Sequence, residues 1–566
     1  MPSGLQRYFS PTLKLLIPAT MVLYAIACAT IVPPTGGPKD ITSPKMVSSE
    51  PKNLSTNFND KKIIINFNEY IALKTPEKYI LISPPMFETP DIKTKGRSVV
   101  IKIKDSLRVN TTYNFYLGDA IVDITESNPV TNYNFAFSTG PEIDSLSLSG
   151  NVTDAFTRMP VKGALVMLYS DFTDSIPMKQ IPTYVSRTSD NGDFNLNNLA
   201  SGKYRAVALT DGNSDYMYNL PTETVGFISD SVTPYYSAVT IQDTNVANSD
   251  AAKQLLVSID MFPEPDSVQR ILKSVIAATN RLSVALRYGM VKPGFRVLNF
   301  PDSLTWSVLE WNKSSDTLNA WLLNKPDTLK LEVTDGGVVL DTVIISTTVK
   351  TIGKTKSQET NQRLRYNTNT SGGMLGYGNP LILTFVNPVK NIFPDSIKLT
   401  ISRITDTITI TPVVKFTDSI QRHLSITYNW NDVDKYNLYI PKGSITDIYS
   451  DSCDSTHVIF QMRSLEEYGK FAVLINRQDQ TYPVIVQLLN EKGLALGERS
   501  ITSGKRVDFG ILAPGKYGLK AIMDTNGNGR WDTGVFLKKI QPERVLVHPK
   551  LFEVRTNWEL EETWDL

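Results

Sequence analysis

An internal repeat constrains the fold of this chain more than any other feature of the sequence. Residues 199–215 recur without a gap as residues 512–528, and Gly202-Lys203-Tyr204 corresponds to Gly515-Lys516-Tyr517, an offset of 313 (515 − 202). A self-similar chain is built from copies of a folding unit rather than around one catalytic cleft. In both copies we expect the tyrosine to pack in the core, with its hydroxyl reaching a backbone group.

A second, weaker repeat flanks the first. Residues 113–124 match residues 436–448 with one inserted residue, since 436 − 113 = 323 and 447 − 123 = 324. The order is therefore two unlike domains, an intervening segment, and the same two domains again. A tandem duplication around a central domain explains both offsets.

The local pattern favours β-strands throughout. Short runs rich in β-branched and aromatic residues, such as Ile63 to Phe67 and Tyr113 to Leu117, alternate with clusters of Asn, Asp, Gly and Pro. Such runs predict an all-β protein, an elongated array of tandem β-sandwiches. Asp266 to Leu282 is the one stretch with any helical character, and its strand-like flanks argue against a helix.

Length and charge set the outer limits. At roughly 100–150 residues per domain, the 566 residues predict about four or five units. Lys plus Arg (58) and Asp plus Glu (57) nearly cancel, so we expect no nucleic acid partner.

The N-terminus resembles a lipoprotein signal. A weakly basic start precedes an apolar run from Leu15 to Ala27, which is too short to span a bilayer as a mature helix. Ala25-Ile26-Ala27-Cys28 is similar to a bacterial lipobox, although Ala25 departs from the usual branched residue. Lipidation of Cys28 would anchor the chain to a membrane, because each buried methylene contributes roughly 0.8 kcal/mol. An ordinary cleavage site and an uncleaved anchor are the alternatives.

Several motifs resemble known families. Pro51 to Ser55, Asn110 to Tyr113 and Phe135 to Gly140 are similar to the bacterial Ig-like domain of the S-layer (SbsA, Big_5) type found in Bacteroidetes lipoproteins. Residues 150–194 resemble a carboxypeptidase-regulatory-like, prealbumin-type β-sandwich. The resemblance implies architecture and an envelope location, but no settled activity. The expected boundaries are 1–27 signal peptide, 28–42 tether, 43–143 Ig-like, 144–250 prealbumin-like, 251–360 sandwich of uncertain type, 361–463 second Ig-like, and 464–566 second prealbumin-like.

The loop after the second Gly-Lys-Tyr strand is the candidate ligand site. Its oxygen donors follow the spacing of a Ca²⁺ loop at positions 1, 3, 5, 7 and 9, and Gly529 occupies position 6, where a sharp turn is needed. The donors in this order are Asp524, Asn526, Asn528, Arg530 (through its backbone carbonyl) and Asp532. Position 12 is Val535, so Glu543 or another strand would have to supply the last ligand. An Asn-Gly hairpin that satisfies its own backbone is the competing interpretation. In the first copy, from Asp211 to Asp215, the turn interpretation is favoured.

Signals for an enzyme are missing, and we expect no catalytic residues. His423, His457 and His548 have no zinc spacing, Gly353-Lys354-Thr355 lacks the first glycine of a phosphate loop, and Cys453 is interpreted as a free bystander.

Two functions stay open. The favoured one is a non-enzymatic scaffold anchored to the outer membrane by lipid and contacting an envelope protein or glycan. The alternative is an accessory glycan- or peptide-binding subunit for polysaccharide capture, which would use exposed aromatic rings; the candidates are Trp306, Trp311, Trp321, Trp531, Trp558 and Trp564. Because no acidic run follows Cys28, the periplasmic face is favoured over the cell surface.

Overall fold

The computed structural model is nearly all β, with 50% strand and 3% helix. It describes residues 40–131, 133–236, 257–265, 269–278, 280–290, 292–299, 301, 305–312, 314–324, 326–347, 363–477, 481–502 and 505–566. Within these ranges no helix has the length and apolarity needed to cross a membrane. The predicted fold class, tandem β-sandwiches in an elongated array, is confirmed.

Module 1 (residues 46–138) is formed by three sheets, with strand orders β1-β2-β6-β5, β4-β7-β9 and β3-β8. Its core contains Phe115, Phe135 and Phe137, each with no exposed surface. A one-turn helix, α1 (Pro76–Tyr79), precedes β4. The strands are β1 Met46–Glu50, β2 Lys62–Phe67, β3 Ile71–Leu73, β4 Leu81–Ser83, β5 Asp91–Lys95, β6 Ser98–Lys102, β7 Thr112–Tyr116, β8 Ile121–Asp123 and β9 Asn134–Ser138.

Module 2 (residues 146–263) has a sheet of order β12-β11-β14-β15-β17-β10-β13, to which β16 adds beside β10. The last long strand, β17, runs parallel to the first, β10, with Gly150 opposite Val257. The strands are β10 Leu146–Asp154, β11 Leu165–Tyr169, β12 Tyr184–Arg187, β13 Asp193–Leu199, β14 Arg205–Leu209, β15 Thr224–Phe227, β16 Tyr235–Tyr236 and β17 Val257–Pro263.

Module 3 (residues 271–346) packs a sheet of order β18-β19-β22-β21 against one of order β20-β23-β24. The stretch from Asp266 to Leu282 contributes β18 and part of β19 to an antiparallel hairpin, not a helix. The strands are β18 Ile271–Ala278, β19 Arg281–Leu286, β20 Pro293–Val297, β21 Ser307–Trp311, β22 Thr317–Leu322, β23 Thr328–Asp335 and β24 Val338–Ser346.

Module 4 (residues 363–462) has sheets of order β25-β27-β32-β31, β26-β35-β33-β29-β30 and β28-β34. The strands are β25 Tyr366–Thr368, β26 Met374–Leu375, β27 Leu381–Phe385, β28 Val389–Ile392, β29 Lys398–Ser402, β30 Thr407–Ile410, β31 Val413–Phe416, β32 His423–Thr427, β33 Lys435–Ile440, β34 Ile445–Asp447 and β35 Thr456–Met462.

Module 5 (residues 465–566) has sheets of order β39-β36-β43 and β38-β37-β40-β41, and β42 also pairs with β40. As in module 2, the last strand is parallel to the first, with Lys470 opposite Glu559. The strands are β36 Gly469–Asn476, β37 Val484–Leu489, β38 Ala495–Ile501, β39 Arg506–Leu512, β40 Gly515–Met523, β41 Val545–Val547, β42 Phe552–Val554 and β43 Glu559–Asp565.

This shared topology moves one boundary. We expected the second domain to end at residue 250, but β17 pairs with both β10 and β15 and therefore belongs to module 2. Local pattern does not reveal this, because a strand that closes a sheet reads like a strand that opens the next one.

Tyrosine hydrogen bonds repeat with the sequence. The Tyr204 hydroxyl donates to the carbonyl of Ala200 (3.0 Å), and the Tyr517 hydroxyl donates to the carbonyl of Ala513 (2.7 Å). Both tyrosine side chains are buried. The predicted core role of this residue is thus found in both copies.

A different tyrosine hydrogen bond recurs in the other repeated pair, modules 1 and 4. In modules 1 and 4 a buried tyrosine hydroxyl accepts from the backbone N–H five residues earlier: Tyr113 from Arg108 (2.9 Å) and Tyr436 from Asn431 (2.8 Å).

Candidate cation loop and module junctions

The predicted Ca²⁺ loop connects β40 to β41 and is organised by Asp524. This side chain is only 1% exposed, and its two carboxylate oxygens accept from the backbone N–H groups of Asn528 (3.0 Å) and Gly529 (2.8 Å). A buried carboxylate that accepts backbone hydrogen bonds fixes the turn in which the other donors lie.

Three of the predicted ligands meet at one point. The side-chain amides of Asn526 and Asn528 both contact Oδ2 of Asp532, the latter at 2.6 Å. The amide oxygens of Asn526 and Asn528 accept from the backbone N–H groups of Asn528 and Arg530 (3.0 Å each), which leaves the amide nitrogens facing Asp532. Oxygen is the donor that Ca²⁺ prefers, so a bound cation would have to replace these two amide–carboxylate contacts. The Arg530 guanidinium lies 3.4 Å from the other oxygen of Asp532, so this residue also contributes an ion pair.

Glu543, rather than Val535, closes the loop. Its buried carboxylate accepts from the N–H groups of Thr525 (2.7 Å) and Asp532 (3.1 Å), and its carbonyl accepts from the indole N–H of Trp531 (2.9 Å). Both carboxylate oxygens of Glu543 are therefore engaged by the loop, which protein atoms alone already hold in shape.

The first copy uses the same two anchors. Asp211 accepts from the backbone N–H groups of Ser214 (2.7 Å) and Tyr216 (2.9 Å), while the buried Glu223 accepts from the N–H of Gly212 (3.1 Å). Gly212 and Thr525 are equivalent by the repeat offset, so Glu223 and Glu543 perform the same structural task. The repeat in the sequence did not reveal that the two glutamates correspond, although each lies within two residues of a preceding proline.

Among the residues that the structure describes, the one group of three potential metal-binding side chains lies elsewhere: Glu310, Asp418 and His423, with ligand atoms within 4.8 Å of one another. The Arg422 guanidinium already pairs with Glu310 at 2.5 Å, and His423 Nε2 lies 3.9 Å from the same carboxylate. The Arg422 side chain is only 13% exposed, so its charge is little screened and would repel a cation; we therefore assign this cluster to an ion pair between modules 3 and 4. The Arg530 guanidinium beside the candidate loop is 77% exposed, and solvent screens its charge.

Trp321 forms the centre of that junction. The side chain is fully buried, and its indole N–H donates to the carbonyl of Val386 in module 4 (3.3 Å). The Arg422 guanidinium lies 4.8 Å from the ring centroid, in the range of a cation–π interaction. Arg422 also donates to the carbonyl of Phe385 (3.0 Å). One tryptophan of module 3 is thus enclosed by polar groups of module 4.

The other predicted tryptophans do not form a common platform. Trp564 is buried in the core of module 5, whereas Trp558 is 58% exposed beside Arg555. Trp306 and Trp311 are partly buried against the core of module 3. Trp531 packs on Phe156 of module 2, with ring centroids 5.0 Å apart.

Modules 1 and 2 are also joined by specific contacts. The Ser83 hydroxyl, 1% exposed, accepts from the N–H of Val185 (3.0 Å), and the Arg187 guanidinium donates to the carbonyl of Lys78 (2.7 Å). A cavity of about 460 Å³ lies beside this junction, between apolar side chains of module 1 and Tyr216 of the first-copy loop.

Cys28, the predicted lipidation site, lies outside the described residues. Cys453 is 1% exposed in the core of module 4, where its thiol contacts the carbonyl of Pro441 at 3.4 Å. This is the packing of a structural cysteine.

Comparison with known proteins identifies the first module. Residues 40–139 match the bacterial Ig-like domain. This match covers the Ig-like part of the resemblance inferred from the motifs. No curated protein matches the chain.

Solved structures of surface proteins are similar at low identity. The N-terminal part of the bacterial S-layer protein SbsC shares 13% identity over 35% of this chain, with a TM-score of 0.14; the match spans 44% of that N-terminal chain, less than half its length. A longer SbsC structure shares 12% identity over 95% of this chain and 69% of its own (TM-score 0.14). BcpA, the major pilin subunit of Bacillus cereus, shares 10% over 74% of this chain and 98% of its own (TM-score 0.15).

Proposed function

We propose that this protein is a non-enzymatic scaffold of the bacterial cell envelope, held at the outer membrane by lipid on Cys28. Its β-sandwich modules set distances and present loops to an envelope protein or glycan. The bacterial Ig-like match of module 1 and the succession of separate sandwich cores support this assignment.

The positions of the tryptophan rings favour a scaffold over a glycan-capture subunit. Glycan-binding surfaces use exposed flat rings, whereas Trp321 is fully buried at a module junction and Trp531 packs between modules 2 and 5. Trp558 is the one strongly exposed ring among the described tryptophans. Trp321 and Trp531 thus join modules and do not form a binding surface.

Affinity electrophoresis of the lipid-free chain in gels containing envelope polysaccharide tests this choice. We expect the Trp558→Ala variant to migrate as the wild-type chain does, both in gels that contain polysaccharide and in gels that lack it. Retardation of the wild type that Trp558→Ala abolishes would contradict the scaffold and support the capture subunit.

A second experiment tests the anchor. Radiolabelled palmitate should be incorporated into the wild type but not into Cys28→Ala, and surface protease should leave the protein intact if it faces the periplasm. Label that is independent of Cys28 would remove the anchor from the proposal, and cleavage would place the protein at the cell surface.

We further propose that Asp524, Asn526, Asn528 and Asp532 hold Ca²⁺ together with the Arg530 carbonyl. Trp531 lies next to these donors and can sensitise Tb³⁺ luminescence, so Tb³⁺ is the probe. We expect luminescence that excess Ca²⁺ displaces and that Asp532→Ala removes. Asp215→Ala, in the first-copy loop, is the matched control and should leave the signal unchanged. Equal luminescence in the wild type and Asp532→Ala would refute the site.

A further inference from the structure

The two copies of the repeated loop differ in length. From its aspartate to its glutamate, the first spans 12 positions (223 − 211) and the second spans 19 (543 − 524). Both glutamates are buried and accept from equivalent backbone N–H groups, so they mark the same structural position at the end of each loop. The second copy therefore carries seven extra residues between matched anchors.

These extra residues reach into module 2. Phe536 has no exposed surface, and its ring lies 5.5 Å from that of Phe227 and 5.7 Å from that of Tyr218, edge to face in both cases. The Arg205 guanidinium lies 5.2 Å from the Phe536 ring centroid. Edge-to-face packing and a cation over the ring both stabilise a buried aromatic side chain.

Glu264, just after β17, receives the backbone of the extra segment. One carboxylate oxygen accepts from the N–H of Phe536 (2.6 Å) and the other from the hydroxyl of Tyr218 (2.5 Å). Phe536 and Glu264 are 272 positions apart in sequence. A charged acceptor shared between two modules fixes their relative orientation.

Further polar contacts frame the aromatic cluster. Gln541 donates to the carbonyl of Phe227 (2.8 Å), and the Lys539 ammonium pairs with Asp174 at 2.9 Å. A methyl group placed on Gly534 would lie 2.6 Å from the ring of Phe262, so the backbone itself approaches module 2 closely. The contact is therefore built from ring packing, hydrogen bonds and shape.

Module 2 makes the reciprocal contact. Phe156, in the loop after β10, packs with Trp531 and lies against the apolar outer face of the sheet that contains β37 and β40. The ammonium of Lys520, on β40, lies 4.1 Å from the Phe156 ring centroid. Each module thus places one phenylalanine against the other.

We propose that residues 533–541 are an intrachain clasp that binds module 5 to module 2, so that the two modules open as one cooperative unit. The inference is independent of the lipid anchor and of Ca²⁺. Because coupling between two sites is reciprocal, loosening either side must expose the other.

Amide hydrogen exchange of the full chain tests the clasp. In Phe536→Ala, amides of β15 and β17 in module 2 should exchange at least about tenfold faster, because their protection includes the docked ring. Leu537→Ala is the matched control: this neighbour is 49% exposed and should leave the exchange of both strands unchanged.

The reverse experiment uses Tyr218→Phe, which removes only one hydroxyl from module 2. We expect faster exchange of the Phe536 amide but not of β33 in module 4, a strand that contributes no residue to the clasp. If Phe536→Ala unfolds module 5, this milder variant decides the question. Unchanged protection of β15 and β17 in a folded Phe536→Ala protein, or of the Phe536 amide in Tyr218→Phe, would overturn the clasp.

Discussion

Replacing Trp321 by alanine tests whether the junction between modules 3 and 4 stabilises the protein. The fully buried indole packs in module 3, donates to Val386 and lies under the Arg422 guanidinium. The substitution leaves a cavity, an unpaired carbonyl and an arginine without its aromatic partner.

The expected loss follows from these contacts. Truncating a buried tryptophan to alanine costs about 3–5 kcal/mol. Loss of the cation–π interaction adds roughly 0.5–2 kcal/mol. A module of this size loses roughly 4–8 °C in Tm per kcal/mol. Taking the lowest values of both contributions, we expect the affected transition to fall by at least about 14 °C.

Differential scanning calorimetry of the lipid-free chain measures this shift. A multi-domain chain need not unfold in one step, so exchange of amides in β22 and β32 would identify the transition that belongs to this junction. Trp558→Ala is the control, because an exposed substitution changes stability by only about 0.5 kcal/mol. A Trp321→Ala transition within 3 °C or so of the wild type would refute the role assigned to the junction.

Three further predictions concern module 5 and its contact with module 2. Tyr517→Phe should cost about 1 kcal/mol in urea unfolding, because the hydrogen bond from the hydroxyl of this buried ring to the carbonyl of Ala513 is lost; an unchanged midpoint would contradict this. Burial lowers the pKa of Lys520 in the folded state below its usual 10.5. Between the folded pKa and 10.5 the unfolded state binds more protons, so stability should rise with pH up to about 10.5. Lys520→Met should flatten this rise, measured as urea midpoints at pH 8 and 10, and equal slopes in the two proteins would refute the assignment. The Lys539 ammonium holds the pKa of Asp174 in the folded state below 3.8. The ion pair therefore stabilises the folded protein above pH 3.8, and this stabilisation is lost as pH falls through the lower folded pKa. Acid unfolding of Asp174→Asn should lack this loss of stability, and an acid transition equal to that of the wild type would argue against the ion pair.

Much of the fold could be predicted because its signals are local. Alternating burial along β2, in which Ile63, Ile65 and Phe67 face the core, follows directly from the period of two in a strand. The bonds of Tyr204 and Tyr517 span only four residues, so the repeated motif carries everything needed to form them. The same locality explains why the Asp524 turn was visible from spacing alone.

The module contacts could not be predicted in the same way. Phe536 lies in a segment without strand or helix periodicity, and its partners Phe227 and Glu264 are far away in sequence. The unequal Asp-to-Glu spacing of the two loops was a usable signal, but it gives the position of an insertion and not its partner. Trp321 was visible as an aromatic residue, while Arg422 gave no sign that it would lie over the ring.

By itself, the sequence determined the all-β class, the duplicated plan and the turns that end its strands, since each depends on side-chain alternation or on contacts a few residues apart. Tertiary structure alone decided that β17 completes module 2, that Trp321 joins modules 3 and 4, and that the insertion of module 5 docks on module 2. These outcomes depend on complementary shape and charge between surfaces that come together only after each sandwich has formed.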